Sequence, residues 1–364
     1  MAPALGIARH FCDSYSEARD RFLDAADAAD ARLESHRHAM QGPDGEALFV
    51  DLAWLGPADA KRLLVTVSGT HGVEGYCGSG CQVGWLRARG REALPAGIAM
   101  LMVHAINPWG FAWSRRVNED NVDINRNFVD FGAPLPENPG WRRLAQAVCP
   151  ERWDEGAHAV YKAACRSFIA EEGERAFVHA ISGGQYDDAD DIFYGGRRPA
   201  WSHELLRRFA AERLAGIERL GVVDFHTGLG PHGHGELICR HAPESEALRL
   251  ARRWWGDSVS SPALGGSASP VVTGNLRMAF ERWLPGASVV AAGLEFGTYP
   301  ENRVFEALRA ENWLYFHGDR ASRAGRAIRA ELHEMFYPAS PTWKEAVLSR
   351  AFEVQERALR GLAA

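Results

Sequence analysis

Five segments of this chain are apolar and rich in β-branched residues along almost their whole length: ALFVDLAWL (47–55), RLLVTVSG (62–69), GIAMLMVHAINP (97–108), LGVVDFHTG (220–228) and ASVVAAGLEFGTYP (287–300). Continuous apolarity, as opposed to alternation, marks strands covered on both faces. Between the second and third, EGYCGSGCQVGWLRARG (74–90) reads as a helix that opens directly after a strand. Such a strand–helix–strand rhythm calls for parallel pairing with helices on both sides. The expected fold is therefore α/β: a single domain over residues 1–364 with a mostly parallel or mixed, twisted central sheet and helices on both faces. GELICR (235–240) reads as a further short strand. Helices are expected over 157–180, 200–217, 301–313 and 343–361. The Pro- and Gly-containing stretches 129–145 and 255–275 read as loops. Residues 13–40 are charged and Ala-rich, with apolar groups at Ala18, Phe22, Leu23, Ala26 and Leu33. That spacing predicts a helix, so residues 1–45 are expected to be a helical segment packed on the domain.

Composition restricts the function. The 364 residues are 46% hydrophobic and 24% charged, enough for a sizeable core. Net charge is −6 with no long basic run, which argues against nucleic-acid and anionic-membrane partners. The N-terminus lacks a basic region followed by an apolar stretch, and no apolar run reaches 18 residues, so neither a signal peptide nor a spanning helix is expected. Cys12, Cys77, Cys81, Cys149, Cys165 and Cys239 are scattered, as reduced thiols in a cytoplasm would be. Cys77 and Cys81 read as packing residues on a helix. The sequence leaves a homo-oligomer open.

The chemistry concentrates where the strands end. SGTHGVEG (68–75) follows a buried strand and turns into a helix; ligand sites of open α/β sheets lie at such points. His71 and Glu74, three apart on a tight turn, can converge on one ion, although the same pair also suits a surface turn. VVDFHTG (222–228) brings His226 to the end of another buried strand, where it would complete the set of three N/O ligands typical of catalytic zinc. Asp224, two residues earlier and on the same face, is placed to orient it. VVAAGLEFGTYP (289–300) ends in Glu295, a carboxylate that is costly at a buried strand end unless paired or used, for instance as a general base on water. SRRVNEDNVDINRNF (114–128) offers Arg115, Arg116 and Arg126 among several asparagines; guanidinium groups grip carboxylates and stabilise oxyanions. His232 and His234 read as polar loop residues near the mouth of the site.

Taken in order, these segments resemble the zinc carboxypeptidase superfamily. HGVEG resembles its HxxE metal motif, VDINRNF its D-x-N-R-N-[FW] segment, VDFHTG the segment of the second histidine and GLEFGT that of the catalytic glutamate. The motifs run from residue 68 to 298. The resemblance implies one Zn2+ held by His71, Glu74 and His226, with Glu295 as general base. It implies Arg116, or alternatively Arg115, polarising the scissile carbonyl, and Asn125 and Arg126 holding a substrate carboxylate. SGTHGVEGYCGSG, INPWGFAW, RRVNEDNVDINRNF, GGQYDDADDIFYGG and DFHTGLG resemble more narrowly a bacterial branch known as domain of unknown function 2817.

One departure stands out. Digestive carboxypeptidases carry a mobile tyrosine between the second histidine and the catalytic glutamate, whereas no Tyr occurs here from 227 to 294. Tyr194, in IFYGG, and Tyr299 are the candidates to substitute for it. The expected function is amide or peptide hydrolysis on a small, carboxylate-bearing peptide. The alternatives are a deacylase of small N-acyl amino acids, like the aspartoacylase branch of the same superfamily, and a non-catalytic binding module on this fold. A third alternative, a nucleotide-binding protein, rests on GSGCQVG (78–84), whose glycines are misplaced for a dinucleotide fingerprint.

Overall fold

The computed structural model describes residues 6–267 and 269–364. Residues 1–5 of the expected helical segment and residue 268 of the expected loop 255–275 lie outside the described residues. Ser14 caps the first helix, α1 (Tyr15–Ala28), by accepting the Glu17 N–H, and Tyr15, Ala18, Phe22, Ala25 and Ala26 form its buried stripe. There the helix ends. Asp30 turns the chain at φ 53°, and Arg32–Gln41 is a strand, β1, antiparallel to β2 (Ala47–Leu55). This corrects the reading of 13–40 as one helix and of 1–45 as a helical segment. The apolar stripe stops at Ala26, and Leu33 is exposed. RLESHRHAMQ is polar enough for either state, so pairing with β2 decides it. Its charged side chains also suit a sheet edge.

The chain continues through β3 (Arg62–Val67), α2 (Gly75–Ala88), β4 (Ile98–His104) and two short helices, α3 (Pro108–Ala112) and α4 (Ile124–Asn127). Next come α5 (Pro139–Val148), α6 (Glu155–Glu172), α7 (Glu174–Ser182) and α8 (Trp201–Arg213). The expected loop 129–145 thus gives way to a helix at Pro139, where Asn138 caps the Trp141 N–H. The expected helix 157–180 is two helices, broken at Gly173 with φ 88°, a value that suits glycine. β5 (Arg219–Gly228), β6 (Gly235–Cys239), α9 (Glu246–Trp255), β7 (Val259–Ser260), α10 (Leu276–Trp283) and β8 (Ser288–Gly297) follow. The last elements are α11 (Glu301–His317), α12 (Arg323–Phe336) and α13 (Pro341–Ala363).

The strands form one mixed sheet in the order β1-β2-β4-β3-β5-β8-β6-β7. Its centre, β4-β3-β5-β8, is parallel, and antiparallel pairs flank it. One face packs under α1, α2, α9 and α13 through residues such as Phe225, Leu294 and Trp255. The other packs under α8 and α10 through Val65, Val222 and Phe280. A third apolar cluster joins α5, α6, α7, α11 and α12 through Trp141, Phe168, Phe193, Leu308 and Phe336. β3 lies between β4, reached through α2, and β5, reached after a long excursion. The strand order reverses there, which opens a crevice at the carboxyl ends of β3 and β5.

The glycines of GSGCQVG have a packing role. A Cβ at Gly78 would lie 2.7 Å from Ser68 Cβ, one at Gly80 2.3 Å from the Phe11 ring and one at Gly84 2.7 Å from Leu348. They let α2 lie close to its neighbours, which removes the basis of the dinucleotide reading. No helix among the described residues is long and apolar enough to cross a membrane.

The edge-strand assignment is testable. Phe22→Ala, deep under the sheet, is expected to cost about 3–5 kcal/mol, and Leu33→Ala under about 1 kcal/mol, in urea unfolding. Equal losses would contradict a strand beginning at Arg32.

Candidate metal centre and its cavity

The turn after β3 is held tightly. Gly69 adopts φ 71°, and the Gly72 and Val73 N–H groups donate to the carbonyls of Arg116 and Arg115. A Cβ at Gly72 would fall 2.0 Å from the Gly110 carbonyl carbon, so only glycine admits this approach. The turn thereby places His71 and Glu74 opposite the end of β5, which carries His226.

Glu74 is the centre of the cluster. Its Oε1 lies 2.8 Å from His71 Nδ1, and its Oε2 lies 3.0 Å from His226 Nδ1 and accepts the Thr227 N–H at 3.0 Å. The far nitrogens face carboxylates: His71 Nε2 lies 3.2 Å from Asp123 Oδ1 and His226 Nε2 2.7 Å from Asp224 Oδ2. Thr70 in turn donates to Asp224 Oδ1 at 2.7 Å. Asp224 fixes the His226 ring and favours a proton on its Nε2, leaving Nδ1 free to ligate, while Asp123 helps to orient the His71 ring. All three residues are buried, and their ligand atoms lie within 4.8 Å of one another.

The electrostatics fit a cation. Burial alone would lower the His226 pKa, but Asp224 and Glu74 raise it to about 10. Burial alone would raise the Glu74 carboxyl, but the two imidazoles hold it far below the usual range. Asp123 is likewise held low against its burial, first by Arg116 and then by His71. The pocket favours positive charge at its centre, and two imidazoles with one carboxylate are the donors catalytic zinc takes.

Glu295 sits beside the cluster. It is the register partner of His226 on the neighbouring strand β8. Its Oε1 accepts the Leu229 N–H at 3.1 Å. Burial, reinforced by the Glu74 charge, raises its pKa to about 7.

A cavity of about 430 Å3 connects these groups. His71, Glu74, His226, Glu295, Arg116, Asn125 and Arg126 all line it. Arg116 donates to Asp123 Oδ2 at 3.1 Å and to Glu74 Oε1 at 3.3 Å, with Nη2 2.8 Å from His71 Nε2. Asn125 and Arg126 open α4 behind the Asp123 cap. Asn125 Oδ1 accepts the Leu276 N–H, and Arg126 Nη2 donates to the Ser182 carbonyl at 2.8 Å. Arg115 turns away: it donates to Glu311 at 2.7 Å, lies 3.5 Å over the Tyr315 ring and does not reach this cavity. Tyr194 also lies outside the lining; its carbonyl accepts the Asp123 N–H. The Tyr299 hydroxyl donates to Glu334. The tyrosine that does line the cavity is Tyr161 of α6, whose ring carries the Arg309 guanidinium at 3.6 Å. His232 is tied to the Thr298 carbonyl at 2.7 Å.

Three contributors escaped the sequence reading. Asp123 lies within a motif but gave no sign that it faces His71. Arg240 and Arg277 also line the cavity. Arg240 follows the apolar strand β6 much as Glu295 terminates β8, so a buried charge at a strand end was a usable signal. Arg277 lies in NLRMAF, which has none. The remaining wall is apolar, from Ile169, Phe177 and Val178 of α6 and α7 and from Val304, Phe305 and Leu308 of α11.

No curated protein matches this sequence. Among solved structures, carboxypeptidase A from Helicoverpa armigera is similar with a TM-score of 0.53 at 13% identity, over 96% of this chain and 73% of that one. The thrombin activatable fibrinolysis inhibitor gives 0.45 at 11% identity over 92% and 74%. A succinylglutamate desuccinylase/aspartoacylase from Rhodobacter sphaeroides gives 0.35 at 14% over 79% and 66%. At these identities the first likeness concerns the fold alone, and the other two add no weight. The model of the family described as "Protein of unknown function (DUF2817)" matches residues 11–350. The chain therefore belongs to that family, and its α/β fold is similar to that of the Helicoverpa armigera carboxypeptidase A.

Proposed function

We propose that this protein is a metal-dependent hydrolase of amide bonds, with zinc as its ion, acting on small substrates that carry a carboxylate. The observation that carries the reading is the convergence of His71, Glu74 and His226 on one wall of a cavity, with Glu295 beside them on the next strand. A bound zinc ion would polarise the carbonyl and lower the pKa of the attacking water.

The chain's own residues supply the rest. Glu295, with one carboxylate oxygen fixed by the Leu229 amide, receives the proton from the water and delivers it to the departing amine. Arg116 borders the same space and offers its guanidinium to the charge that develops on the carbonyl oxygen, worth a few kcal/mol in such sites. Arg126 and Asn125 hold the substrate carboxylate and set its orientation. A cavity of about 430 Å3 suits a small peptide or an N-acyl amino acid. The six free cysteines suit a reducing cytoplasm.

Deacylation of N-acyl amino acids is the second reading. It is favoured by the absence of any tyrosine from 227 to 294 and by the Arg309 contact that occupies Tyr161. Rates on C-terminally free peptides, blocked peptides and N-acyl amino acids distinguish the two; a preference for long blocked peptides would count against both.

Protein purified without chelator is expected to hold about one equivalent of zinc per chain, and His226→Ala to lose it. A full complement of metal in that variant would overturn the ligand assignment. Glu295→Gln is expected to keep the metal and to lower kcat by about 10²–10⁴-fold; unchanged turnover would refute the mechanism. Only ionised Glu295 accepts a proton, so the rate falls as pH drops through its pKa. That value is about 7 without a metal, and a dication nearby lowers it. The acid limb of kcat/KM is therefore expected at or below about pH 7. A limb well above that value would point to another base.

A further inference from the structure

The cavity contains more positive charge than the catalytic scheme uses. Strand alternation puts Asp224 and His226 of β5 on one face of the sheet, together with Gly293 and Glu295 of β8. On β6, Glu236 is the register partner of Glu295 and Ile238 that of Gly293, so Arg240, two residues beyond Ile238, continues the same face. Arg277, from the start of α10, covers it. A Cβ at position 293 would lie 2.5 Å from Arg277 Nη1, so the glycine makes room for the guanidinium.

Arg277 is 2% exposed and donates no hydrogen bond to any described residue; its nearest carboxylate oxygen, on Asp224, is 3.8 Å away. Arg240 donates to the Pro270 carbonyl at 2.7 Å and to the Ser269 hydroxyl at 2.6 Å, but among the described residues no carboxylate lies within ion-pair distance of it. Arg126 donates to the Ser182 and Asn125 carbonyls, and its nearest carboxylate oxygen among the described residues, on Asp123, is 3.9 Å away. In all three the Nε is buried without a partner. A buried guanidinium with open donors is costly unless something else fills them. These arginines are close enough to disfavour one another's charge: burial first, and then Arg277 and Arg126, hold the Arg240 pKa well below its ordinary value. The protein thus leaves several forked donors facing one space, more than one carboxylate would occupy.

We propose that the substrate ends in a dicarboxylic amino acid, aspartate- or glutamate-like, with its α-carboxylate on Arg126 and Asn125 and its side-chain carboxylate on Arg240 and Arg277. This deepens the hydrolase reading and rests on it for the identity of the scissile bond, but the anion subsite stands on the arginines alone. The apolar wall of α6, α7 and α11 is left for the other side of the bond.

The test pairs two blocked dipeptides, benzoyl-glycyl-glutamate and benzoyl-glycyl-glutamine, which differ by one charge at nearly constant shape. Their equilibrium binding is measured on the Glu295→Gln protein, and their hydrolysis on the zinc-loaded wild type. The acid is expected to exceed the amide on the order of 100-fold in both measurements, because the amide leaves buried guanidinium donors unpaired. Arg277→Leu and Arg240→Leu are each expected to reduce that ratio by roughly tenfold or more. The wild-type ratio decides the matter even if one variant fails to fold. Equal binding of acid and amide overturns the proposal, as does inorganic phosphate competing as strongly as the acid. Selective binding of the acid with no hydrolysis of either peptide would sustain the subsite and refute the hydrolase; hydrolysis of both at equal rates would do the reverse.

Discussion

One carboxylate organises this molecule. Glu74 bridges the Nδ1 atoms of two imidazoles that arrive from different strands, and it also accepts the Thr227 amide from the end of β5. Behind each imidazole stands an aspartate, one on a loop and one on a strand. Buried charges of this kind are tolerable only when every member has a partner. The tight turn after β3, the α4 cap at Asp123 and the β5 register therefore have to agree with one another. Much of the backbone detail around β3, from the Gly72 approach to the Val73–Arg115 hydrogen bond, reads as support for that single group.

The sequence showed the central sheet clearly, because strands such as IAMLMVH and VVAAGLEF are buried on both faces and carry apolar residues throughout. It showed the cluster as well, since His71, Glu74, His226 and Glu295 each follow such a strand. It failed where long-range pairing decides. β1 is as polar as an exposed helix and becomes a strand only because β2 presents an open edge. The α6–α7 break depends on one glycine in a continuous amphipathic stretch. The choice between Arg115 and Arg116 could not be read from adjacent identical residues; it follows from which side of the chain faces Glu311 and which faces Asp123. Arg277 was invisible because its partner in space, Gly293, says nothing about arginine until the register of β8 and the position of α10 are known.

The site divides its labour between two kinds of support. The groups proposed to hold a metal and move a proton, His71, Glu74, His226 and Glu295, stand on the parallel centre of the sheet, at the ends of β3, β5 and β8, where neighbouring strands hold one another in register. The groups suited to reading a substrate come from elsewhere: α4, the start of α10, the end of β6 and the paired helices α6 and α7. Reactive groups need fixed positions more than recognition groups do, and a buried sheet provides them.

The apolar cluster shared by α5, α6, α7, α11 and α12 forms a core of its own, apart from the two that clamp the sheet. It also includes Val73, from the turn that carries His71 and Glu74, and Phe336, whose carbonyl accepts the Thr227 hydroxyl beside His226. A change in the size of the side chains on α7 or α11 is therefore felt at the Glu74 turn as well as in the cavity.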